Sequence, residues 1–421
     1  VTSIIPVARP VSGPVVGPVS GPVARPASRA VRFEALPPLS LYVHVPWCVR
    51  KCPYCDFNSH EPRPQTGAGP DGEIPAEPFV DAVLRDLELA LPMVWGRPVH
   101  TVFFGGGTPS LLPAEAVERL ISGIRARVRL VPDAEITLEA NPGTFEAERF
   151  AGFREAGVNR LSLGVQSFDA GALERIGRIH DDCAARAAAA HAVDTFERVN
   201  VDLMYALPGQ STEAALADLE QALSFGSDHL SLYHLTLEPN TLFAARPPAG
   251  LPDEDSADAM AHALEARLTQ AGLRRYEVSA WARSGKECRH NLNYWEFGDY
   301  LGIGPGAHAK ISLPDRILRE TRPRQPRDWF AAVEAGQVVE TQRNLSVADL
   351  PFEFMLNALR LTAGVPSELF AERAGLPFQC LSVGLDRALQ RGLIDPDPSR
   401  LRATPLGLRF LNDLVGIFLA D

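Results

Sequence analysis

"HVPWCVRKCPYCDFNSH", residues 44–60, places Cys48, Cys52 and Cys55 four and three positions apart, between two histidines. The other cysteines, Cys183, Cys288 and Cys380, are scattered along the chain and read as ordinary thiols, so this is not the framework of a disulfide-stapled secreted protein. Two metal chemistries fit the crowded trio. A tetrahedral zinc ion takes four protein ligands, and with no second Cys or His pair at zinc-finger spacing, His44 or His60 would have to complete the set. An iron–sulfur cluster suits clustered thiolates, and three cysteines on a [4Fe-4S] cluster leave one iron open to an outside ligand.

Working outward, the trio follows one of six short strand-like runs, at residues 41–46, 100–104, 135–139, 160–165, 200–203 and 230–235. Helix-like runs at 78–94, 113–130, 146–156, 183–192 and 212–225 separate them. This alternation predicts repeated βαβ units with a parallel sheet, an α/β fold amounting to three quarters of an eight-fold barrel. Gly106, Gly107 and Thr108, then Glu139, Gln166 and Asp202, stand at or just after the ends of successive strands, where a β/α barrel gathers its binding groups. Each also has a plainer reading: Asp202 capping a turn, Gln166 satisfying backbone groups, and Gly105 to Gly107 forming a tight turn. Tyr42, His44 and Pro46 alternate along the first strand and should share its inner face, with Leu41, Val43 and Val45 outward.

The loop resembles that of the radical S-adenosylmethionine superfamily, whose Cys-x3-Cys-x2-Cys follows the first barrel strand with an aromatic before the last Cys, here Tyr54. "GGGTP", residues 105–109, stands where that superfamily keeps its glycine-rich turn. The resemblance implies a partial (β/α)6 barrel, with a [4Fe-4S] cluster on Cys48, Cys52 and Cys55 and S-adenosylmethionine on its open iron, cleaved to a 5'-deoxyadenosyl radical. Tyr42, Tyr54, Gly106, Gly107, Thr108, Glu139, Gln166, Arg178 and Asp202 are the corresponding cofactor contacts. Gly106 and Gly107 let backbone approach the ligand, Glu139 suits its amino group, and Arg178 offers a carboxylate fork.

From Leu39 onward the chain is similar to the oxygen-independent coproporphyrinogen III oxidase family, and especially to its heme-chaperone branch, through "EANPGT" (139–144), "GVQSF" (164–168), "LPGQ" (207–210) and "YHLTLEPNT" (233–241). The oxidases carry a further cysteine two positions beyond the third ligand; here Asp56 and Phe57 follow Cys55. "HNLNYW", His290 to Trp295, resembles the chaperone branch's heme-associated signature and makes His290 the first choice for a heme contact, with Cys288 and His308 as alternatives and a core histidine as the plainer reading. The resemblance thus implies heme as ligand and apo-hemoproteins, including membrane-bound respiratory subunits, as acceptors, with an electron donor as a further partner. Decarboxylation of coproporphyrinogen III is the competing activity.

The net charge of -11 provides no overall basic field for nucleic acid, and no apolar run is long enough to span a bilayer. A cytoplasmic protein meeting the inner membrane only through an acceptor is expected. Prolines every fourth residue from Pro6 to Pro26 predict a disordered tail over 1–38, and a natural start near Val31 is one reading of it. The barrel is expected over 39–313. Residues 314–421 read as a small, mostly helical, winged-helix-like domain, whose helix containing both Asp386 and Arg387 lacks a dense basic face for DNA.

Overall fold

A computed structural model describes residues 31–63, 73–143 and 149–420. Most of the proline-rich stretch, Thr144, and the start of the helix expected at 146–156 lie outside the described residues.

Alternating side chains build the sheet. Along β1 (Leu39–Val45), Leu41, Val43 and Val45 are buried in one apolar core with Phe79, Val80 and Val83 of the helix Ala76–Val94. The strands β2 (Pro98–Gly106), β3 (Arg129–Ala140), β4 (Arg160–Gln166), β5 (Val199–Tyr205) and β6 (His229–His234) follow in chain order, each parallel to its predecessor. Parallel neighbours cannot be joined by a tight hairpin, and helices such as Ala114–Arg127, Asp182–Thr195 and Thr212–Ser224 make the crossovers.

The other face of these strands is polar and equally buried. Ser40, Thr101, Glu135, Thr137, Ser162, Asn200, Asp202, His229 and Ser231 are each 3% exposed or less. Buried polar atoms require partners. Thr101 Oγ1 donates to Ser40 Oγ at 2.8 Å, and Asn200 Nδ2 donates to Ser162 Oγ at 2.9 Å and to Asp202 Oδ1 at 2.8 Å. An interior so hydrogen-bonded is a lining for chemistry more than a packing core.

Beyond β6 the sheet gains β7 (Arg274–Glu277) and β8 (Ala280–Ala282), and beside β1 it gains β9 (Asp299–Ile303), β10 (His308–Leu313), β11 (Arg316–Thr321) and β12 (Thr341–Asn344). β9 runs parallel to β1, whereas β10, β11 and β12 form an antiparallel edge. The expected boundary at 313/314 therefore falls in the turn of a hairpin. The sequence hides these strands because β12 is exposed along its length and "RILRET" sets two consecutive apolar residues, Ile317 and Leu318, among charged ones, without the alternation that marks a strand.

The C-terminal region has helices Leu350–Ala358, Leu369–Ala374 and Ser382–Gln390, the short pair β13 (Val365–Pro366) and β14 (Arg400–Leu401), and terminal helices Pro405–Arg409 and Leu411–Gly416. Its apolar core includes Ile317 from β11, Trp295 at the end of the helix Arg289–Trp295, Phe297 in the turn before β9, and also Val31. Within the tail expected over 1–38, Val31 is thus buried, and Arg32 N donates to Gly375 O at 3.0 Å; an apolar side chain docks where the proline pattern predicts only disorder.

A buried ion cluster joins the antiparallel edge to the first helix. Asp86 Oδ1 accepts from Arg322 Nε at 3.0 Å, and Oδ2 accepts from Gly304 N at 3.0 Å and Trp329 Nε1 at 2.9 Å. Asp86→Ala leaves the buried Arg322 guanidinium with only Glu320 as anion. It is expected to lower unfolding free energy by about 3–5 kcal/mol, read from the denaturant midpoint.

Candidate cluster and cofactor site

The cysteine loop is held from below and from the side. Cys48 N donates to His60 O at 3.0 Å, and His60 N donates to Pro46 O at 2.7 Å, closing the loop on itself. His44 Nε2 donates to Asn58 O at 2.8 Å, and its Nδ1 receives the Tyr42 hydroxyl at 3.0 Å. Burial lowers the His44 pKa to about 4, which keeps the ring neutral in these two bonds. The Asn58 side-chain amide donates to Pro305 O at 3.0 Å and Arg324 O at 2.9 Å and accepts from His60 Nε2 at 3.2 Å. A Cβ at Gly306 would meet Asn58 Nδ2 at 2.3 Å, so glycine is required at that close approach.

Each sulfur has its own neighbour. Thr108 Oγ1 donates to Cys48 Sγ at 3.3 Å, Arg178 Nη1 lies 3.6 Å from Cys52 Sγ, and Cys55 Sγ lies 3.9 Å from Ser59 Oγ. Burial pushes the Cys48 thiol up to about 11, against the Thr108 bond that lowers it. A bound metal would reverse that, since coordination deprotonates a thiol outright. Among the described residues, the three-group set that converges to within 4.8 Å is Asp181, Asp182 and Cys183, not the three loop cysteines. The trio as placed is too spread for one tetrahedral ion, and both nitrogens of His44 are engaged. The donor set fits a multi-iron cluster better than zinc.

The strand ends converge beside it. Gly106, with φ of +114°, donates its N–H to Glu139 Oε2 at 3.1 Å, and a Cβ there would strike the His44 ring at 2.5 Å. Gly107 N and Thr108 N bond to Val45 O and Trp47 O, fastening the glycine turn under the loop. Asn141 Nδ2 donates to Thr108 Oγ1 at 2.8 Å, while Arg178 Nη2 donates to Asn141 Oδ1 at 2.7 Å and Gly164 O at 2.6 Å. Gln166 stands at the end of β4 with φ of +73°, a conformation a non-glycine residue holds only under local constraint. Arg178 Nε is buried without a partner, a donor left for a ligand. Tyr54 packs near Phe243 on the loop's other flank, and burial raises its phenol.

Burial raises the Glu139 carboxyl to about 7, with the nearby Asp202 adding to the rise and the Gly106 N–H opposing it. Asp202 is itself held by Asn200 and by Ser162 Oγ at 3.3 Å. Burial, with Glu139 close by, holds the Tyr42 phenol well above its usual range. Two acids and a phenol, with the buried Arg160 as a neighbouring cation, form a lining suited to a cationic guest.

His290 is not part of this gathering. Its Nδ1 shares a 2.6 Å hydrogen bond with Thr101 Oγ1, and its ring stacks on Phe103 at 4.9 Å and meets Tyr294 edge-on at 5.0 Å. Thr101 lies five residues before Gly106 on β2, about 17 Å along the strand. The side chain is 1% exposed, and its Nε2 is buried without a partner. Cys288 is also buried, with Sγ 3.5 Å from Glu135 Oε1, whereas His308 is exposed. Asn58 and Asn141 went unnoticed in the sequence, although Asn141 lies inside the quoted "EANPGT" run.

Residues 42–222 match the radical SAM superfamily model, and residues 345–410 match the HemN C-terminal domain model. The chain is 48% identical to heme chaperone HemW of Escherichia coli over 92% of its length and 99% of that protein. It is 43% identical to heme chaperone HemW of Haemophilus influenzae, again over 92% and 99%. The solved structure of coproporphyrinogen III oxidase (HemN) from Escherichia coli, a radical SAM enzyme, superposes with a TM-score of 0.75 at 25% identity, covering 91% of this chain and 90% of that one.

Two outcomes are expected. Cys48→Ser, Cys52→Ser and Cys55→Ser each abolish iron and sulfide uptake on anaerobic reconstitution, whereas Cys183→Ser and Cys380→Ser retain it. Burial favours the neutral acid at Glu139, so infrared spectroscopy of the cofactor-free protein should show a protonated carboxyl that disappears above a pH of about 7 and is missing from Glu139→Gln.

Proposed function

The chain belongs to the HemW family of the radical SAM superfamily, and on that premise we propose that it is a heme chaperone, binding heme and passing it to apo-hemoproteins. The observation that carries the reading is the ending of the cysteine loop. Asp56 and Phe57 follow Cys55, so a phenylalanine side chain, which cannot ligate iron, stands where the oxidases carry a further cysteine. Whole-length likeness at 48% to a protein named a heme chaperone, against 25% to an oxidase, supports the same side.

Cys48, Cys52 and Cys55 would hold a [4Fe-4S] cluster, and Gly106, Gly107, Thr108, Glu139, Gln166, Arg178 and Asp202 would receive S-adenosylmethionine beside it, with Tyr42 and Tyr54 flanking. The cluster, once bound and reduced, would supply an electron to the sulfonium, and these residues would hold and orient it. Arg178 ties the loop sulfur of Cys52 to the ends of β3 and β4 through Asn141 and Gly164, so loop and strand ends are set by one guanidinium. Glu139 accepts from the Gly106 N–H and faces the same interior as Asp202, so a cationic ligand beside it would favour its ionised form. Among the described residues no helix is long and apolar enough to cross a membrane. Respiratory cytochromes, including membrane-bound subunits reached from the cytoplasmic side, are the proposed acceptors.

The test pairs both activities on one preparation. Cluster-reconstituted protein with reductant, S-adenosylmethionine and coproporphyrinogen III should form no protoporphyrinogen IX, and after loading with hemin it should restore the Soret band of an apo-cytochrome. Porphyrinogen turnover without heme transfer would overturn the chaperone reading in favour of the oxidase.

A further inference from the structure

Below the strand ends, a run of hydrogen bonds crosses the barrel interior and finishes on Asp202. Asn200 on β5 and His229 on β6 are direct partners across the sheet, as are Asp202 and Ser231 one rung nearer the mouth. All four are 3% exposed or less. Asn200 Nδ2 gives its two hydrogens to Ser162 Oγ at 2.9 Å and to Asp202 Oδ1 at 2.8 Å. A carboxylate oxygen accepts, so the amide nitrogen faces Asp202 and the amide oxygen faces away from it. There Asn200 Oδ1 meets His229 Nδ1 at 2.7 Å and accepts from Ser231 Oγ at 3.0 Å.

The tautomer of His229 follows. An amide oxygen only accepts, so Nδ1 carries the proton and Nε2 keeps a lone pair. That lone pair accepts from the Tyr276 hydroxyl on β7 at 2.9 Å, and the Tyr276 oxygen accepts in turn from Cys288 N at 3.4 Å. Burial, with Arg160 and Arg198 close by, holds the His229 pKa well below its usual value, and burial holds the Tyr276 phenol well above its own, so both rings stay neutral. The run therefore reads in one direction, from the Cys288 N–H through Tyr276, His229 and Asn200 to the carboxylate. Turned over, the Asn200 amide would set its oxygen against Asp202 and its hydrogens against the His229 N–H.

We propose that His229, with Tyr276 behind it, is a positioning residue for the S-adenosylmethionine site, holding Asn200 so that Asp202 presents a fixed face to the ligand; the proposal rests on the reading that S-adenosylmethionine binds there. His229 lies two residues deeper than Asp202 along the paired strands, about 7 Å, and so acts on a bound ligand through Asn200 and the carboxylate. A histidine that only filled the core would need no particular nitrogen protonated.

The experiment measures S-adenosylmethionine affinity of the cluster-reconstituted full chain by equilibrium dialysis. His229→Leu should weaken binding about five- to twentyfold. His229→Asn, whose amide returns an N–H at the Nδ1 position, should recover most of that loss, whereas His229→Gln, closer in size but with its amide at the Nε2 end, should not. Tyr276→Phe, which removes one hydroxyl, should weaken binding about two- to fivefold. In an Asp202→Asn background His229→Leu and Tyr276→Phe should have no further effect, because their route to the ligand is already lost. Histidine-nitrogen NMR of the isotopically labelled, cofactor-free chain should place the His229 proton on Nδ1. Losses that persist undiminished beside Asp202→Asn would overturn the proposal, as would unaltered affinity in His229→Leu and Tyr276→Phe, or a proton on Nε2. If His229→Leu does not fold, the Tyr276→Phe comparison and the NMR decide the matter. Failure of the unsubstituted protein to bind S-adenosylmethionine at all would instead defeat the assignment of the site itself.

Discussion

Asn58 is the fastening on which the site depends. Its carbonyl holds His44, its amide holds the turn at Pro305 and the carbonyl of Arg324, and its side-chain oxygen takes His60. His44 in turn sits so close to Gly106 that no side chain fits between them, and Gly106 holds Glu139. The cysteine loop, the glycine turn and the carboxylate at the end of β3 are thereby set relative to one another by a connected series of hydrogen bonds and one close packing contact, His44 on Gly106. Loops of this composition have little packing of their own, and preorganisation has to come from such partners.

Electrostatics follow from the same arrangement. The strand interior carries Glu139 and Asp202 near the mouth and the buried Arg160 and Glu135 farther down, each desolvated. Charge in such a medium is costly until a counter-charge arrives, so the acid end of the interior is selective for cations, and Glu139 stays largely uncharged below neutrality when alone. The outer face of the same strands has no such demands and is filled with Leu, Val and Ile.

What was legible in the sequence is what short range decides. The six parallel strands stood out because buried β/α strands are apolar runs bounded by turn residues, and Cys48, Cys52 and Cys55 because ligand spacing is local. β12 was hidden because an edge strand carries polar side chains that look like linker, and β11 because its apolar pair Ile317 and Leu318 stands among charged residues without alternation. Asn58 was hidden for a different reason: an asparagine acquires a role only from its partners, here carbonyls about 250 residues away. The "HNLNYW" run was readable as a motif, but its burial is a tertiary property that no spacing within it encodes.

The Asn58 contact to Pro305 spans 247 positions of sequence. A chain emerging from the ribosome at roughly 5–20 residues per second therefore exposes its three thiols on the order of 10–50 seconds before the turn that fastens them exists. During that interval the loop is a flexible trithiol tethered to a nascent strand. Because β9, which pairs with β1, is also made late, the sheet beside the loop stays open until nearly three quarters of the polypeptide has been synthesised. The long reach of one asparagine thus makes this site among the last parts of the molecule to become rigid, although its ligands are among the first to be made.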